Sequence, residues 1–96
     1  MWSVYVLYSV SGEKSYTGFT NDLDRRLFEH NVSEKKGFTL RYRPWTLIRR
    51  EDYETKELAM AREKLLKTGR GREEIKLFII EFLNSSGAVS AAAEKD

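Results

Sequence analysis

Arg26 and His30 stand four residues apart in a predicted helix of the stretch YTGFTNDLDRRLFEHN, which spans residues 16–31. At about 100° per residue, both fall on the same side of that helix as Leu23 and Leu27. A soluble helix does not normally turn a guanidinium and an imidazole toward its packed side. An inward guanidinium can hold two phosphate oxygens in its fork. This helix is therefore a candidate functional element, while Arg25 points the opposite way, toward solvent.

A tyrosine pair lies just upstream of this helix. Residues 2–9, WSVYVLYS, are β-branched and aromatic and predict a strand, and residues 15–20 predict a second strand joined to it by a short turn. The hairpin can bring Tyr5 and Tyr16 onto neighbouring strands, where opposite side chains lie roughly 5 Å apart. Either tyrosine alone is more often a packing residue. One of them could act as a general base if nearby positive charge lowered its pKa from about 10.

The other helices and strands are predicted from the spacing of apolar residues and from capping and glycine residues. The first helix is predicted from about Asp22 to His30, with Asn21 as its cap, and is followed by a polar loop over 31–44 and a strand over 45–52. A second helix is predicted over 55–68, ending at Gly69, and residues 69–72 are predicted to link it to a third helix over 72–84. The expected fold is α/β: a small three-stranded antiparallel sheet flanked by about three helices.

Two charged residues of the second helix need separate interpretations. Arg62 falls inside the apolar stripe, so we expect it to pair with a carboxylate and to be structural. Glu63 falls on the edge of the stripe, and by pattern alone it is a solvated carboxylate paired with Lys67 at i+4.

The length and composition limit the classes of protein to which this chain can belong. The 96 residues indicate one domain, assigned to 1–84, and residues 85–96 are predicted to be a disordered tail. With no cysteine, the chain has neither disulfides nor thiolate metal sites. No segment is long and apolar enough for a membrane span, and no secretory signal opens the chain, so we expect a cytoplasmic protein.

The net charge of +2 does not by itself indicate nucleic acid, but the distribution of the cations does. Aromatic residues alternate with basic ones in the 31–44 loop, where Phe38 and Tyr42 are equally suited to stacking on bases or to anchoring the loop. Trp45 is expected to pack. The candidate nucleic-acid contacts are Lys35, Lys36, Arg41, Arg43, Arg70 and Arg72.

Several of these motifs together resemble the GIY-YIG nucleases. The paired tripeptides read VYV at residues 4–6 and YTG at residues 16–18, and REKLLKTGRGREEIK at residues 62–76 resembles the small single-domain branch of the family. The resemblance covers roughly the first four-fifths of the chain. Two departures stand out: Thr17 replaces a common Ile, and no Asn occurs between Glu63 and Lys76.

The resemblance implies roles for five residues. Tyr5 and Tyr16 would flank the nucleophilic water, with Tyr5 the favoured base, and Arg26 would hold phosphate. His30 would orient a group or relay a proton. Glu63 would bind one Mg²⁺, with Mn²⁺ as the alternative ion, because a single carboxylate plus water and substrate oxygens suits a one-metal site.

Three functions remain open at this point. The first is a Mg²⁺-dependent endonuclease, in DNA repair or processing, that acts on DNA in preference to RNA. The second is a non-catalytic nucleic-acid-binding module with the same fold. The third is a protein-interaction domain in which Arg26 and Glu63 form structural ion pairs. Spacing alone does not separate the first two.

Overall fold

The computed structural model describes residues 1–85, which form a three-stranded antiparallel sheet in the order β2-β1-β3. The strands are β1 (Trp2–Ser9), β2 (Lys14–Thr20) and β3 (Thr46–Tyr53). The helices are α1 (Leu23–Phe28), α2 (Phe38–Arg41), α3 (Lys56–Leu66) and α4 (Gly69–Ser85), and a π-helical turn (Glu29–Ser33) follows α1. The predicted α/β class and the three antiparallel strands are confirmed.

The central strand β1 is covered on both faces, as its nearly continuous apolar sequence predicts. One face packs against α3 and α4 through Val4, Val6, Ala59, Leu66 and Ile75. The other face carries a second cluster formed by Tyr5, Leu7, Leu23 and Trp45. Alternation along β1 therefore places Val4 and Val6 on the face covered by α3 and α4 and the candidate Tyr5 on the opposite face.

The start of α1 differs by one residue from the prediction. Asp22, not Asn21, is the N-cap, and its Oδ1 accepts a hydrogen bond from the Arg25 backbone N at 3.1 Å. The Thr20 hydroxyl accepts from the Asp22 backbone N at 3.1 Å. This local hydrogen bond fixes the turn before the helix and leaves Asn21 exposed.

The segment predicted as an open loop is largely structured. The backbone N of Glu34 donates to the Glu29 carbonyl at 2.9 Å, which closes the π-helical turn after α1. The Asn31 side chain then bonds both the N–H and the carbonyl of Trp45, at 2.6 and 3.1 Å. Side-chain to backbone bonds of this kind carry little signal in a sequence, so the polar composition was misleading here.

The predicted link at 69–72 is wrong, since these residues form the first turn of α4. Thr68 caps that turn, because its hydroxyl accepts from the Gly71 backbone N at 3.2 Å and its carbonyl accepts from the Arg72 backbone N at 2.9 Å. A Cβ on Gly71 would clash with the backbone of Leu65 and Leu66. Glycine therefore permits the close approach of α4 to α3, which outweighs its low helix propensity.

Arg62 is structural, as predicted. Its guanidinium donates to Glu51 on β3 at 2.8 Å and to Glu74 on α4 at 2.8 Å. The hydrogen bond from Arg62 is the main reason why the pKa of Glu51 falls to about 2. This bridge ties α3, α4 and β3 together on the β3 side of the molecule.

The predicted disordered tail lies outside the described residues, apart from Ser85, which is the last residue of α4. Within residues 1–85, no helix is both long enough and apolar enough to cross a membrane.

Candidate active site

The centre of the site is a buried hydrogen bond between β1 and the π-helical turn. The Tyr5 hydroxyl lies 3.0 Å from Nε2 of His30. Each of these residues is only 1% exposed. The inward orientation of His30 expected from the helical pattern is confirmed, and its partner is a tyrosine of the first tripeptide.

Tyr16 joins this pair from the neighbouring strand. Its ring centroid lies 4.8 Å from that of His30 and 6.2 Å from that of Tyr5. The two tyrosines are diagonal rather than opposite, because Tyr5 pairs with Gly18 and Leu7 pairs with Tyr16. A Cβ on Gly18 would lie 2.6 Å from the Tyr5 hydroxyl oxygen, so only glycine leaves room for that hydroxyl.

Arg26 lies at the partly open side of the cluster, with a side chain that is 30% exposed. Its Nη1 donates to Glu29 Oε1 at 2.7 Å and to Glu34 Oε2 at 3.1 Å. Its positive charge partly offsets the rise in the pKa of the Tyr5 hydroxyl that burial and Tyr16 cause. A phosphate arriving at this edge would meet a guanidinium already held in place by two carboxylates.

Glu34 and Thr39 also belong to the site, although the sequence pattern did not predict them. Glu34 Oε1 accepts a hydrogen bond from the Thr39 hydroxyl at 2.7 Å and lies 3.7 Å from Nδ1 of His30. The one available signal was spacing, because Glu34 follows His30 by four residues and such pairs share a helix face. This spacing indicates a contact only within a helix, and the polar composition of the segment predicts a loop.

The titration of the cluster differs from the expectation of a tyrosine activated by positive charge. Burial, and secondly the neighbouring Tyr16, raises the pKa of Tyr5 to about 12, although Arg26 opposes the shift. Burial, and secondly the charge of Arg26, lowers the pKa of His30 below its ordinary value of 6.5. At neutral pH the pair is therefore a protonated tyrosine and an uncharged imidazole. Tyr5 can serve as a base only if a neighbour accepts its own proton.

Glu63 follows Arg62 on α3, and its side chain is 16% exposed. Its Oε2 lies 2.6 Å from Nζ of Lys67. Lys67 lines a groove of about 310 Å³ together with Tyr16, which places Glu63 next to the wall of that groove. Within residues 1–85, however, no hydrogen bond or ion pair joins Glu63 to Tyr5, Tyr16, Arg26 or His30.

A metal fits this arrangement only as a single ion shared with substrate. No group of three or more His, Asp or Glu side chains within residues 1–85 could hold a metal ion. Glu63 is a partly buried carboxylate that already holds a positive charge, that of Lys67. One carboxylate, completed by water and phosphate oxygens, is a donor set that suits Mg²⁺.

The candidate nucleic-acid contacts separate into free and engaged side chains. Arg43 is engaged, because its guanidinium donates to the carbonyls of His30 and Glu34 at 2.7 Å each, so we assign it a structural role. Arg72 lines the groove beside Tyr16, whereas Arg70 is not among its lining residues. The other candidates, Lys35, Lys36, Arg41 and Arg70, are exposed.

The aromatic residues of the same region both pack and remain accessible. Phe38 stacks on Tyr16 with ring centroids 6.4 Å apart, yet it is 47% exposed. Tyr42 packs against Phe38 and Trp45. Trp45 is buried, as predicted, and its Nε1 donates to the Thr39 carbonyl at 2.7 Å.

The chain is similar in sequence to several known proteins. A UPF0213 protein of Haloquadratum walsbyi is 37% identical over 65 residues, covering 68% of this chain and 72% of its own. A UPF0213 protein of Streptococcus pyogenes is 40% identical over 72 residues, covering 74% and 76%. The solution NMR structure of the UPF0213 protein BH0048 from Bacillus halodurans is 29% identical, with a TM-score of 0.47, covering 78% of this chain and 82% of that one. The model of the GIY-YIG catalytic domain matches residues 1–76, and the chain therefore belongs to the GIY-YIG family.

Proposed function

We propose that this protein is a divalent-metal-dependent endonuclease that hydrolyses phosphodiester bonds, with DNA preferred over RNA and a role in repair or processing. The observation that carries the proposal is the buried hydrogen bond between the Tyr5 hydroxyl and His30 Nε2, with Tyr16 and Arg26 beside it. A half-buried packing tyrosine commonly keeps its hydroxyl in water, whereas the Tyr5 hydroxyl is buried and bonded to a titratable ring nitrogen. Family membership supports the same reaction class.

The proton path follows from the pKa values. Because the pKa of Tyr5 is raised to about 12, its hydroxyl keeps its proton at neutral pH. When the attacking water gives up a proton to the Tyr5 oxygen, the hydroxyl proton moves to His30 Nε2, which becomes an imidazolium. The resulting hydroxide attacks phosphorus, and the departing oxygen takes a proton from solvent. Two short proton transfers, from water to Tyr5 and from Tyr5 to His30, therefore activate the water without a deprotonated tyrosine, which burial makes unfavourable.

Arg26 and Glu63 supply the remaining charges. Arg26 would bind the non-bridging oxygens of the phosphate, whose negative charge increases as the water attacks. Glu63 would hold Mg²⁺, or Mn²⁺ in its place, and the ion would polarise the phosphate and stabilise the leaving oxygen. Lys67 would give up its contact with Glu63 when the ion is bound.

The substrate strand would extend along the groove beside Tyr16. Arg72 and Lys67 contribute positive charge to its walls, and Ser15 and Thr17 contribute β2 backbone and hydroxyl groups. Lys35, Lys36 and Arg41 would contact more distant phosphates. Phe38 would offer its exposed face to an unpaired base.

We expect Arg72→Gln to weaken nucleic-acid binding and to flatten its salt dependence. Losing one phosphate contact on duplex DNA should reduce the log–log salt slope by about 0.9. Binding of a labelled oligonucleotide in excess chelator, titrated with salt, measures the slope without cleavage. Arg70→Gln is the matched control, since it removes the same charge two residues away and outside the groove lining. Equal losses for both variants would show that the groove is not the contact.

The non-catalytic alternatives also have structural support, because the protein-interaction hypothesis expects structural ion pairs at Arg26 and Glu63. Arg26 and Glu63 both form ion pairs within this chain, with Glu29 and Lys67 as respective partners. A cleavage assay distinguishes the nuclease from the non-catalytic alternatives. The substrates are single-stranded, duplex and branched DNA and RNA, each tested with Mg²⁺, with Mn²⁺ and with excess chelator. We expect metal-dependent cleavage of at least one DNA form. Binding without cleavage in every metal would establish the module instead.

A further inference from the structure

Nδ1 of His30 is a buried nitrogen without a hydrogen-bond partner in the described structure. The opposite ring nitrogen, Nε2, contacts the Tyr5 hydroxyl at 3.0 Å. The Glu34 carboxylate lies close to Nδ1, with its Oε1 3.7 Å away. This distance is too long for a good hydrogen bond but short enough for a strong effect of charge in a buried site.

Glu34 is itself held firmly in this position. Its Oε1 accepts from the Thr39 hydroxyl at 2.7 Å, and its Oε2 accepts from Arg26 Nη1 at 3.1 Å. Its backbone carbonyl accepts from Arg43 Nη2 at 2.7 Å. The hydrogen bond from Thr39, together with Arg26, keeps the pKa of Glu34 below its usual value, so the side chain is an anion at neutral pH.

The carboxylate distinguishes the two neutral forms of the imidazole. With the proton on Nδ1, an N–H dipole points toward the anion and Nε2 accepts the Tyr5 proton. With the proton on Nε2, a lone pair faces the anion and the tyrosine can no longer donate to the ring.

We infer that Glu34 is a positioning residue, which fixes His30 in the Nδ1–H tautomer and thereby makes Nε2 the acceptor of the Tyr5 proton. The inference deepens the proposed nuclease function and names the residue that orients its proton relay. The charged and titratable groups facing His30 are Tyr5 on β1, Tyr16 on β2, Arg26 on α1, Glu29 and Glu34 at the π-helical turn, and Arg43 before β3. Of the two carboxylates in this set, Glu34 is the one that lies against Nδ1.

The chain contains one histidine, so ¹⁵N labelling of histidine gives the ring signals of His30 alone. In the parent protein at pH 7.5, we expect ring ¹⁵N shifts of the Nδ1–H tautomer. Glu34→Gln should reduce the share of that tautomer, because the charge is lost and the amide can donate to Nδ1. Glu29→Gln is the matched control, since it removes the other carboxylate bonded to Arg26 and should leave the tautomer unchanged.

The kinetic counterpart is a loss in kcat. Glu34→Gln should lower kcat by about tenfold or more, since a wrong tautomer impairs proton transfer. KM should change little, because the glutamine oxygen can still accept from Arg26 and Glu29 continues to hold it. If the Nε2–H tautomer dominates in the parent protein, the inference is wrong. This measurement requires no variant. Unchanged ring shifts in a folded Glu34→Gln protein would also overturn the inference. The NMR result stands even if the parent cleaves nothing, so a failure of the nuclease proposal is distinguishable from a failure of this one.

Discussion

Glu63→Gln should lower the cleavage rate about a thousandfold while leaving the fold intact. The carboxylate is the proposed protein ligand of the metal, whose stabilisation of the transition state amounts to several kcal/mol. Each 1.36 kcal/mol corresponds to a factor of about ten in rate. Glutamine keeps the size of the side chain but removes the anion. Single-turnover cleavage at saturating Mg²⁺, together with calorimetric Mg²⁺ binding in the presence of an uncleavable oligonucleotide, measures both losses.

Stability should hardly change, because the pair with Lys67 is partly exposed and pairs of this kind contribute up to about 1 kcal/mol. Binding of oligonucleotide in chelator should persist or improve, since a negative charge near phosphate is removed. Glu57→Gln is the matched control, as an exposed acid in the first turn of the same helix. A Glu63→Gln protein that cleaves like the parent would show that this carboxylate is not the metal ligand.

Tyr5→Phe should abolish most of the activity by a different route. The variant keeps the ring that packs with Leu7, Leu23 and Trp45 but removes the hydroxyl that receives the proton of the water. Loss of general-base catalysis should lower kcat by about 10²- to 10⁴-fold. The variant also leaves His30 Nε2 buried without its partner, which should cost about 1–3 kcal/mol of folding free energy. Cleavage kinetics and thermal unfolding measure the two effects separately.

Tyr8→Phe is the control for this substitution. Tyr8 is a buried tyrosine on the same strand, but it lies on the opposite face of the sheet and packs against Phe82. We expect it to retain parental cleavage. If Tyr5→Phe retained it as well, Tyr16 would become the candidate base, and the proton path through His30 would be excluded.

The pH profile of the parent checks the same path. Protonated His30 cannot accept the Tyr5 proton, so kcat should fall as the pH drops through the pKa of His30. That pKa lies below 6.5 because of burial and Arg26. Folding stability should change with pH in the same direction. His30 binds a proton more readily in the unfolded chain than in the folded one. The contribution of neutral His30 to stability is therefore complete above pH 6.5 and is lost as the pH falls through the lowered pKa of the folded protein. A rate that rises on acidification would contradict the assignment.

The two tripeptides and the first helix could be interpreted from sequence because their signals are local. An apolar run predicts a strand covered on both faces, and β1 is one. Helical spacing placed Arg26 and His30 on the side of Leu23 and Leu27, and His30 is buried there. The same reasoning predicted a carboxylate partner for Arg62, since a buried guanidinium requires one, and left open which carboxylates it would be.

The segment between His30 and Trp45 was harder to predict because distant backbone groups satisfy its polar side chains. Asn31 bonds the backbone of Trp45, and Arg43 bonds carbonyls of the π-helical turn. Neither contact has a spacing rule. The glycines at 69 and 71 were misleading for a related reason: Gly71 is required by the close contact of two helices, a feature that propensity scales do not describe.

The residue types available for chemistry were determined by the sequence itself: one histidine, a tyrosine in each tripeptide, an inward arginine, and a carboxylate at the edge of α3. Their protonation states were decided by the tertiary structure. Folding removes Tyr5 and His30 from water, and this burial makes the tyrosine a weaker acid and, together with the charge of Arg26, makes the imidazole a weaker base. Burial and the charges brought near by folding shift a pKa in either direction, and neither can be derived from the order of residues along the chain.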